Sequence, residues 1–172
     1  RLINKIKFLR DHGRSSKYVH DEFALSARMD SFQAIVLDIK LSYIQSITKR
    51  RKEIAKIYDN KINNKGFETI EIDKKGSCVY HLYPVLVKNR DLVISKLKKL
   101  GIGAGSHYPV TMQNQPGFKK IYPNKNKLKI STDVASHTIS LPICGEITNK
   151  EVKYIIENFL KVAEPFNIRE AR

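Results

Sequence analysis

The 172-residue sequence contains few cysteines, few acidic residues and no long apolar run. Its two cysteines, Cys78 and Cys144, are too few for a disulfide scaffold, so we expect a reduced, cytoplasmic protein. No apolar stretch is long enough to cross a bilayer, and no segment has the pattern of a signal peptide. We therefore expect no membrane partner. The chain starts at Arg1 rather than Met, which is typical of a processed, trimmed or partial polypeptide.

Acidic residues are outnumbered by basic ones, 17 against 32, which gives a net charge of +15. A chain this basic could bind nucleic acid by releasing counterions. The lysines are scattered over almost every predicted element, however, and no RNA-binding or zinc-finger signature accompanies them. We interpret them as solvated faces and do not expect nucleic acid as a partner.

Several common catalytic and metal-binding motifs are also missing from the sequence. It has no nucleophile elbow and no glycine-rich phosphate loop. Cys78 and His81 could suggest a metal site, but residues three apart on a strand point to opposite faces and cannot easily share one ion. We therefore predict no metal site.

The periodicity of the apolar residues predicts helices at residues 2–10, 31–62, 89–100 and from 149 onward, with a helical turn at 132–137. The segment 31–62 is either one long bent helix or two helices in series. Strands are predicted at 68–73, 79–87, 102–108 and 138–143, and residues 109–126 are predicted as loop. Pro84 indicates that its strand lies at an edge or a bulge. From residue 67 onward this order favours an α+β layer with helices on one face of a small, mainly antiparallel sheet.

Residues 26–41 change from an irregular segment into a helix at a defined point. Asp30 is a candidate N-cap, and Gln33 stands three residues later, the spacing of a reciprocal capping box. The apolar residues behind the cap recur at helical spacing and predict that the helix lies against a core; they are Phe32, Ile35, Val36, Ile39 and Tyr43. Arg28 is then either a cation held near a positive helix end, suited to an anion, or an ordinary surface residue beside a cap.

Residues 101–116 place a histidine, a tyrosine and several amides in one loop, between flexible glycines and stiff prolines. A titratable His107 beside the Tyr108 phenol and amide donors is what a pocket for a polar ligand needs. A solvent-exposed loop with turn-forming residues explains the same composition. The residues alone leave both interpretations open.

Eight short segments occur in one order along the chain: residues 9–13 (LRDHG), 26–34 (SARMDSFQA), 51–58 (RKEIAKIY), 80–83 (YHLY), 101–102 (GI), 107–109 (HYP), 115–116 (QP) and 139–143 (ISLPI). Together they resemble the C-terminal half of the DegT/DnrJ/EryC1/StrS family of sugar aminotransferases, which depend on pyridoxal 5′-phosphate (PLP). The resemblance covers nearly the whole chain, and its strength lies in the shared order rather than in any single segment.

The resemblance implies the fold-type I aminotransferase architecture, an α/β parent fold. Residues 1–48 would be the end of the large PLP-binding domain and the start of a connecting helix. Residues 49–172 would be the small α+β C-terminal domain. The implied reaction transfers an amino group, usually from glutamate, to a nucleotide-linked keto sugar. The family works as a homodimer with shared active sites.

The resemblance also implies roles for particular residues. Ser26 and Arg28 would reach the PLP phosphate of the partner subunit. His107, Tyr108 and Gln113 would line the sugar-nucleotide pocket. Ser26 stands where the family usually has Asn, and Gln113 stands near the place of a second histidine.

The Schiff-base lysine of this family belongs to the N-terminal half, so no residue of this chain is assigned as catalytic. On this interpretation the chain is inactive by itself, and PLP is bound mainly by the other half. The alternative is a catalytically inactive binding or interaction module derived from the family.

Overall fold

A computed structural model describes residues 1–73, 75–122 and 128–168. The chain divides into two units, Arg1–Ile44 and Gln45–Arg172. The predicted domain boundary after residue 48 stays a prediction.

The first unit contains helix α1 (Leu2–Leu9), a loop, and the beginning of helix α2 (Ser31–Ile62). Helix α2 is one helix of 32 residues, which decides between the two alternatives for this segment. Gly13, after α1, has a φ of +60°, and a Cβ there would lie 2.3 Å from the backbone oxygen of Glu22. Only glycine fits this left-handed, closely approached position.

The predicted capping box at the start of α2 is confirmed. The Phe32 N–H donates to Asp30 Oδ1 at 2.8 Å, and the Asp30 N–H donates to Gln33 Oε1 at 3.3 Å. Two backbone donors that the helix cannot satisfy are therefore satisfied by side chains.

The prediction that the apolar face of α2 lies against a core is wrong for the described chain. Phe32 is 73% exposed, and the other members of the face, Ile35, Val36, Ile39 and Tyr43, are exposed as well. Every large apolar side chain found buried among the described residues lies at Ile54 or later. Helical periodicity identifies the face that needs covering, but it does not identify which residues cover it.

The second unit is built on a three-stranded antiparallel sheet in the order β1-β2-β3. The strands are β1 (Glu68–Thr69), β2 (Tyr83–Leu86) and β3 (Thr138–Leu141). The core joins the sheet to the end of α2 and to two further helices, α3 (Arg90–Lys99) and α6 (Asn149–Ala163), which pack against each other. The predicted α+β layer with an antiparallel sheet is confirmed.

The prediction that Pro84 marks an edge or a bulge is wrong, because β2 is the central strand and pairs with β3 residue by residue through Pro84. Strand β1 pairs only with Val85 and Leu86 and stops before it reaches Pro84. On the other side Pro84 lies opposite Ser140, whose backbone N–H and C=O bond to Gly105 instead. The proline is tolerated because neither neighbour needs its missing N–H at this position.

Three further differences concern residues 102–137. Residues 102–108 form no strand; only Gly105 bridges to Ser140. The predicted loop at 109–126 contains a 3-10 turn (Met112–Asn114) and helix α4 (Pro116–Ile121), while residues 123–126 lie outside the described part. The predicted turn at 132–137 belongs to helix α5 (Lys129–His137). Short, one-turn helices lack the repeated period that reveals longer ones.

Candidate functional site

The second unit contains an open cavity of about 730 Å³ between the loop after Ser106 and helix α5. Its lining includes all three residues that the family resemblance assigns to the sugar-nucleotide pocket: His107, Tyr108 and Gln113. Residues that lie six positions apart in the sequence thus face one space. The volume is in the range of small-molecule sites. The interpretation of this loop as a pocket is therefore the one that the geometry favours.

His107 is attached to the sheet by its side chain. Its Nδ1 lies 3.1 Å from Ser140 Oγ, and Ser140 in strand β3 is only 4% exposed. The Ser140 N–H donates to Gly105 O at 2.7 Å, and the Gly105 N–H donates back to Ser140 O at 3.2 Å. Backbone and side chain together fix the loop on β3, so the other ring nitrogen, Nε2, is the one available to a ligand.

Tyr108 and Gln113 complete the polar part of the lining. The Tyr108 ring meets the His107 ring edge to face, with 5.7 Å between centroids. Gln113 Nε2 donates to Ser131 Oγ at 2.9 Å and to Thr132 Oγ1 at 3.2 Å, both on α5. Among the bonds found in the described residues, the amide oxygen of Gln113 is not used. It is an acceptor for a donor group of a ligand in the cavity.

Arg90, the first residue of α3, contacts both segments that enclose the cavity, and the sequence analysis missed it. Its side chain is 11% exposed. Arg90 Nη1 donates to Ser106 Oγ at 3.0 Å and contacts the backbone oxygen of Ala135. One largely buried side chain therefore joins the histidine loop to α5. An arginine at a helix start carries no local signal of such a role, whereas a serine inside the apolar run 138–143 could have drawn attention to Ser140.

The first unit holds the other predicted residues, Ser26 and Arg28, at the base of a loop. Ser26 forms a backbone bridge with Asp11, and the Ala27 N–H donates to Arg10 O at 2.8 Å. Arg28 Nε donates to Asp11 Oδ1 at 2.8 Å, and its Nη2 contacts the same oxygen. The cation that the sequence analysis singled out is thus held by a carboxylate of its own chain.

Asp11 also binds a second arginine. Arg14 Nε donates to Asp11 Oδ2 at 2.6 Å. The hydrogen bond from Arg28, followed by those of Arg14 and by both charges, holds the pKa of Asp11 below its ordinary value. One carboxylate shared by two guanidinium groups leaves a net charge of +1. Because the Arg28 side chain is 53% exposed, this donor set fits an additional anion such as a phosphate.

No candidate metal centre and no membrane-spanning segment occur in the part of the chain that the structure describes. Within residues 1–73, 75–122 and 128–168, no three His, Cys, Asp or Glu side chains are grouped so that they could hold an ion. Cys78 and Cys144 are both free thiols. The described helices include none that is long and apolar enough to cross a bilayer.

Comparison with solved structures shows where else this fold occurs. The structure of S. venezuelae DesV in complex with a ketimine intermediate superposes with a TM-score of 0.87 and 28% identity, covering 95% of this chain and 44% of DesV. The Helicobacter pylori aminotransferase PseC matches with a TM-score of 0.86 at 24% identity, covering 96% and 47%. The fold is that of the C-terminal portion of the fold-type I PLP-dependent sugar aminotransferases, as predicted.

Sequence relatives lead to the same group. The dTDP-3-amino-3,6-dideoxy-alpha-D-galactopyranose transaminase of Aneurinibacillus thermoaerophilus is 30% identical over 91% of this chain and 42% of its own length. The UDP-2-acetamido-2-deoxy-3-oxo-D-glucuronate aminotransferase of Pseudomonas aeruginosa is 29% identical over 90% and 42%. The chain thus spans less than half the length of these relatives. A profile of the DegT/DnrJ/EryC1/StrS aminotransferase family matches residues 1–160, and the chain therefore belongs to this family.

Proposed function

We propose that this chain is the C-terminal portion of a PLP-dependent aminotransferase that transfers an amino group, from glutamate, to a nucleotide-linked keto sugar. The observation that carries the proposal is the cavity in which His107, Tyr108 and Gln113 meet. Two relatives, a dTDP-linked amino sugar transaminase and a UDP-linked oxo sugar aminotransferase, support a nucleotide sugar as the substrate class.

In this proposal the second unit binds the sugar nucleotide. Nε2 of His107, the phenol of Tyr108 and the amide oxygen of Gln113 offer hydrogen bonds to hydroxyl and phosphate groups. Apolar side chains of the same lining, Val110, Met112 and Leu128, would pack against the faces of the sugar and the base. Ser140 and Arg90 hold this lining in place through the contacts described above.

The first unit contributes to cofactor binding. Ser26 and Arg28 would contact the PLP phosphate of the partner subunit in a homodimer. When bound, PLP supplies the electron sink and the carrier for the transferred amino group. Most of its contacts, and the lysine that holds it, would come from outside this chain. The chain alone is therefore inactive in this proposal.

The exposed apolar face of α2, formed by Phe32, Ile35, Val36, Ile39 and Tyr43, supports the same assignment. An exposed apolar surface on a protein often marks a site of contact with another domain or subunit. The rest of the large domain and the partner subunit would cover it.

The test uses the full gene product and the isolated chain side by side. With glutamate and dTDP-linked or UDP-linked keto sugars, we expect the full product to form the amino sugar, detected by mass spectrometry. The isolated chain, incubated with PLP and reduced with borohydride, should show no stoichiometric label on any one lysine. Labelling of a single lysine would contradict the proposal that the lysine that holds PLP lies outside this chain. Binding of a nucleotide sugar by the full product without amino transfer would favour the inactive binding module instead.

A further inference from the structure

We propose that Asp11 is the positioning residue of Arg28, and that it holds the guanidinium where the partner subunit's cofactor phosphate binds. This inference rests on the proposed function, because it needs Arg28 to meet that phosphate. It assigns to Asp11 a role that neither its residue type nor its place in a loop indicates.

The side-chain contact restrains Arg28 in a way that the backbone cannot. An arginine has many rotamers, and fixing them at the moment of binding costs free energy. Nε and Nη2 of Arg28 both contact Oδ1 of Asp11, so the guanidinium is already oriented before an anion arrives. The carboxylate thus lowers the cost of ordering the cation.

The backbone places the two residues opposite each other. Asp11 and Ser26 form the bridge at the base of the intervening loop. Within this loop the N–H groups of Asp21 and Glu22 donate to Gly13 O at 2.9 and 3.4 Å. The loop is therefore closed by its own hydrogen bonds, and Asp11 and Arg28 stand on the two segments that meet at its base.

Arg14 explains how a carboxylate can stand beside a phosphate site without repelling the phosphate. A lone Asp11–Arg28 pair would be neutral, and the carboxylate would oppose an approaching anion. The second guanidinium, 2.6 Å from Asp11 Oδ2, restores a net positive charge to the cluster. Asp11 therefore orients Arg28, while the positive charge of Arg14 offsets the negative charge of Asp11.

A purely structural role for Asp11 makes a different prediction from a positioning role. If the ion pairs only close the loop, their loss weakens every ligand of the active site alike. If Asp11 orients Arg28 toward the phosphate, its loss weakens ligands that carry the phosphate and spares those that lack it. Pyridoxal 5′-phosphate and pyridoxal differ in that group alone.

The experiment measures the dissociation constants of pyridoxal 5′-phosphate and of pyridoxal for the full gene product and its variants. For Asp11→Asn we expect affinity for the phosphorylated form to fall about three- to tenfold, with little change for pyridoxal. The reason is that Arg28 must then be ordered during binding, and this cost outweighs the gain from removing a carboxylate that repels the phosphate. Arg28→Gln should do the same or more, and adding Asp11→Asn to it should have no further effect. Asp21→Asn, an exposed carboxylate in the same loop, is the matched control.

The outcomes distinguish a failure of the role inferred for Asp11 from a failure of the proposed function. If Arg28→Gln leaves the preference for the phosphate intact, the proposed cofactor contact is wrong, and the role of Asp11 falls with it. If Arg28→Gln removes the preference and Asp11→Asn does not, only the role of Asp11 is wrong. Equal losses of affinity for both ligands in Asp11→Asn also overturn the role of Asp11. Should Asp11→Asn not fold, Asp11→Glu keeps the charge and displaces it by one methylene, and the same comparison of ligands applies.

Discussion

At the scale of single residues, the cavity depends on side chains that never face the ligand. Ser140 is buried in strand β3, yet its hydroxyl lies within hydrogen-bond distance of His107 Nδ1. A buried hydroxyl without a hydrogen-bond partner costs free energy, so this contact also favours the position of His107 that keeps the Ser140 hydroxyl paired. The orientation of the histidine is thus decided in the sheet and not in the loop that carries it.

Replacing Ser140 with alanine tests this dependence. Because the imidazole loses its restraint, we expect KM for the sugar nucleotide to rise several-fold, while kcat changes less. The measurement is steady-state kinetics on the full gene product. Ser136→Ala, an exposed serine on α5, is the control and should leave KM unchanged. An unchanged KM in Ser140→Ala would show that the loop backbone alone orients His107.

At the scale of secondary-structure elements, the described helices begin in different ways. Helix α6 has a complete capping box: the Glu151 N–H donates to Thr148 Oγ1 at 3.3 Å, and the Thr148 N–H donates to Glu151 Oε2 at 2.8 Å. Helix α3 starts after Asn89, which has a φ of +47° and makes no side-chain cap bond. Its first residue, Arg90, instead reaches the cavity loop and α5. The residues at the start of α6 stabilise that helix, whereas the first residue of α3 also holds the segments that enclose the cavity.

The cap of α6 allows a prediction of stability and of its pH dependence. Thr148→Ala should lower the free energy of unfolding by about 1 kcal/mol, the usual cost of a lost N-cap. Hydrogen bonds from the Thr148 side chain and backbone hold the pKa of Glu151 below its ordinary 4.5. A carboxyl with a lowered folded-state pKa stabilises the fold above its unfolded pKa and loses that effect as the pH falls through the lowered value.

Denaturant unfolding of wild type and Glu151→Gln at several pH values checks this sign. The difference between the two should be constant near neutral pH and should shrink below about pH 4.5. Glu157→Gln, an exposed residue on the same helix, is the control. A difference that grows toward low pH would contradict the assignment of the bond to the charged carboxylate.

At the scale of the whole molecule, the two units differ in what stabilises them. The second unit has a contiguous core around residues such as Tyr58, Val85 and Phe159. The first unit, as far as the structure describes it, leaves most of its large apolar side chains exposed, and Phe23 and Leu25 are examples. A segment without buried apolar contacts opens at little cost in free energy.

Hydrogen exchange of the isolated chain should show this difference directly. We expect slow exchange for the amides of β3 and α6, and fast exchange for those of residues 1–30, because only the former lie in a core. In the full gene product residues 1–30 should become protected. Equal protection of both units in the isolated chain would mean that the first unit is stable without further cover.

Local patterns in the sequence were enough for the helices with clear periods, for the capping box of α2 and for the order of motifs that placed the chain in its family. These features depend on residues close together in the chain, whose spacing has a direct physical meaning. Pro84 shows the limit of such reasoning, because its place in the central strand depends on where β1 stops and on what Gly105 bonds.

Only the tertiary structure decided how the candidate site is assembled. The contact of His107 with Ser140, the bridging position of Arg90 and the pairing of Arg28 with Asp11 join residues 16 to 45 positions apart. Such contacts leave no periodic trace in the sequence, because each depends on one distance and one orientation after folding. The sequence alone left Arg28 as either a cation suited to an anion or an ordinary surface residue; the fold showed which carboxylate holds it.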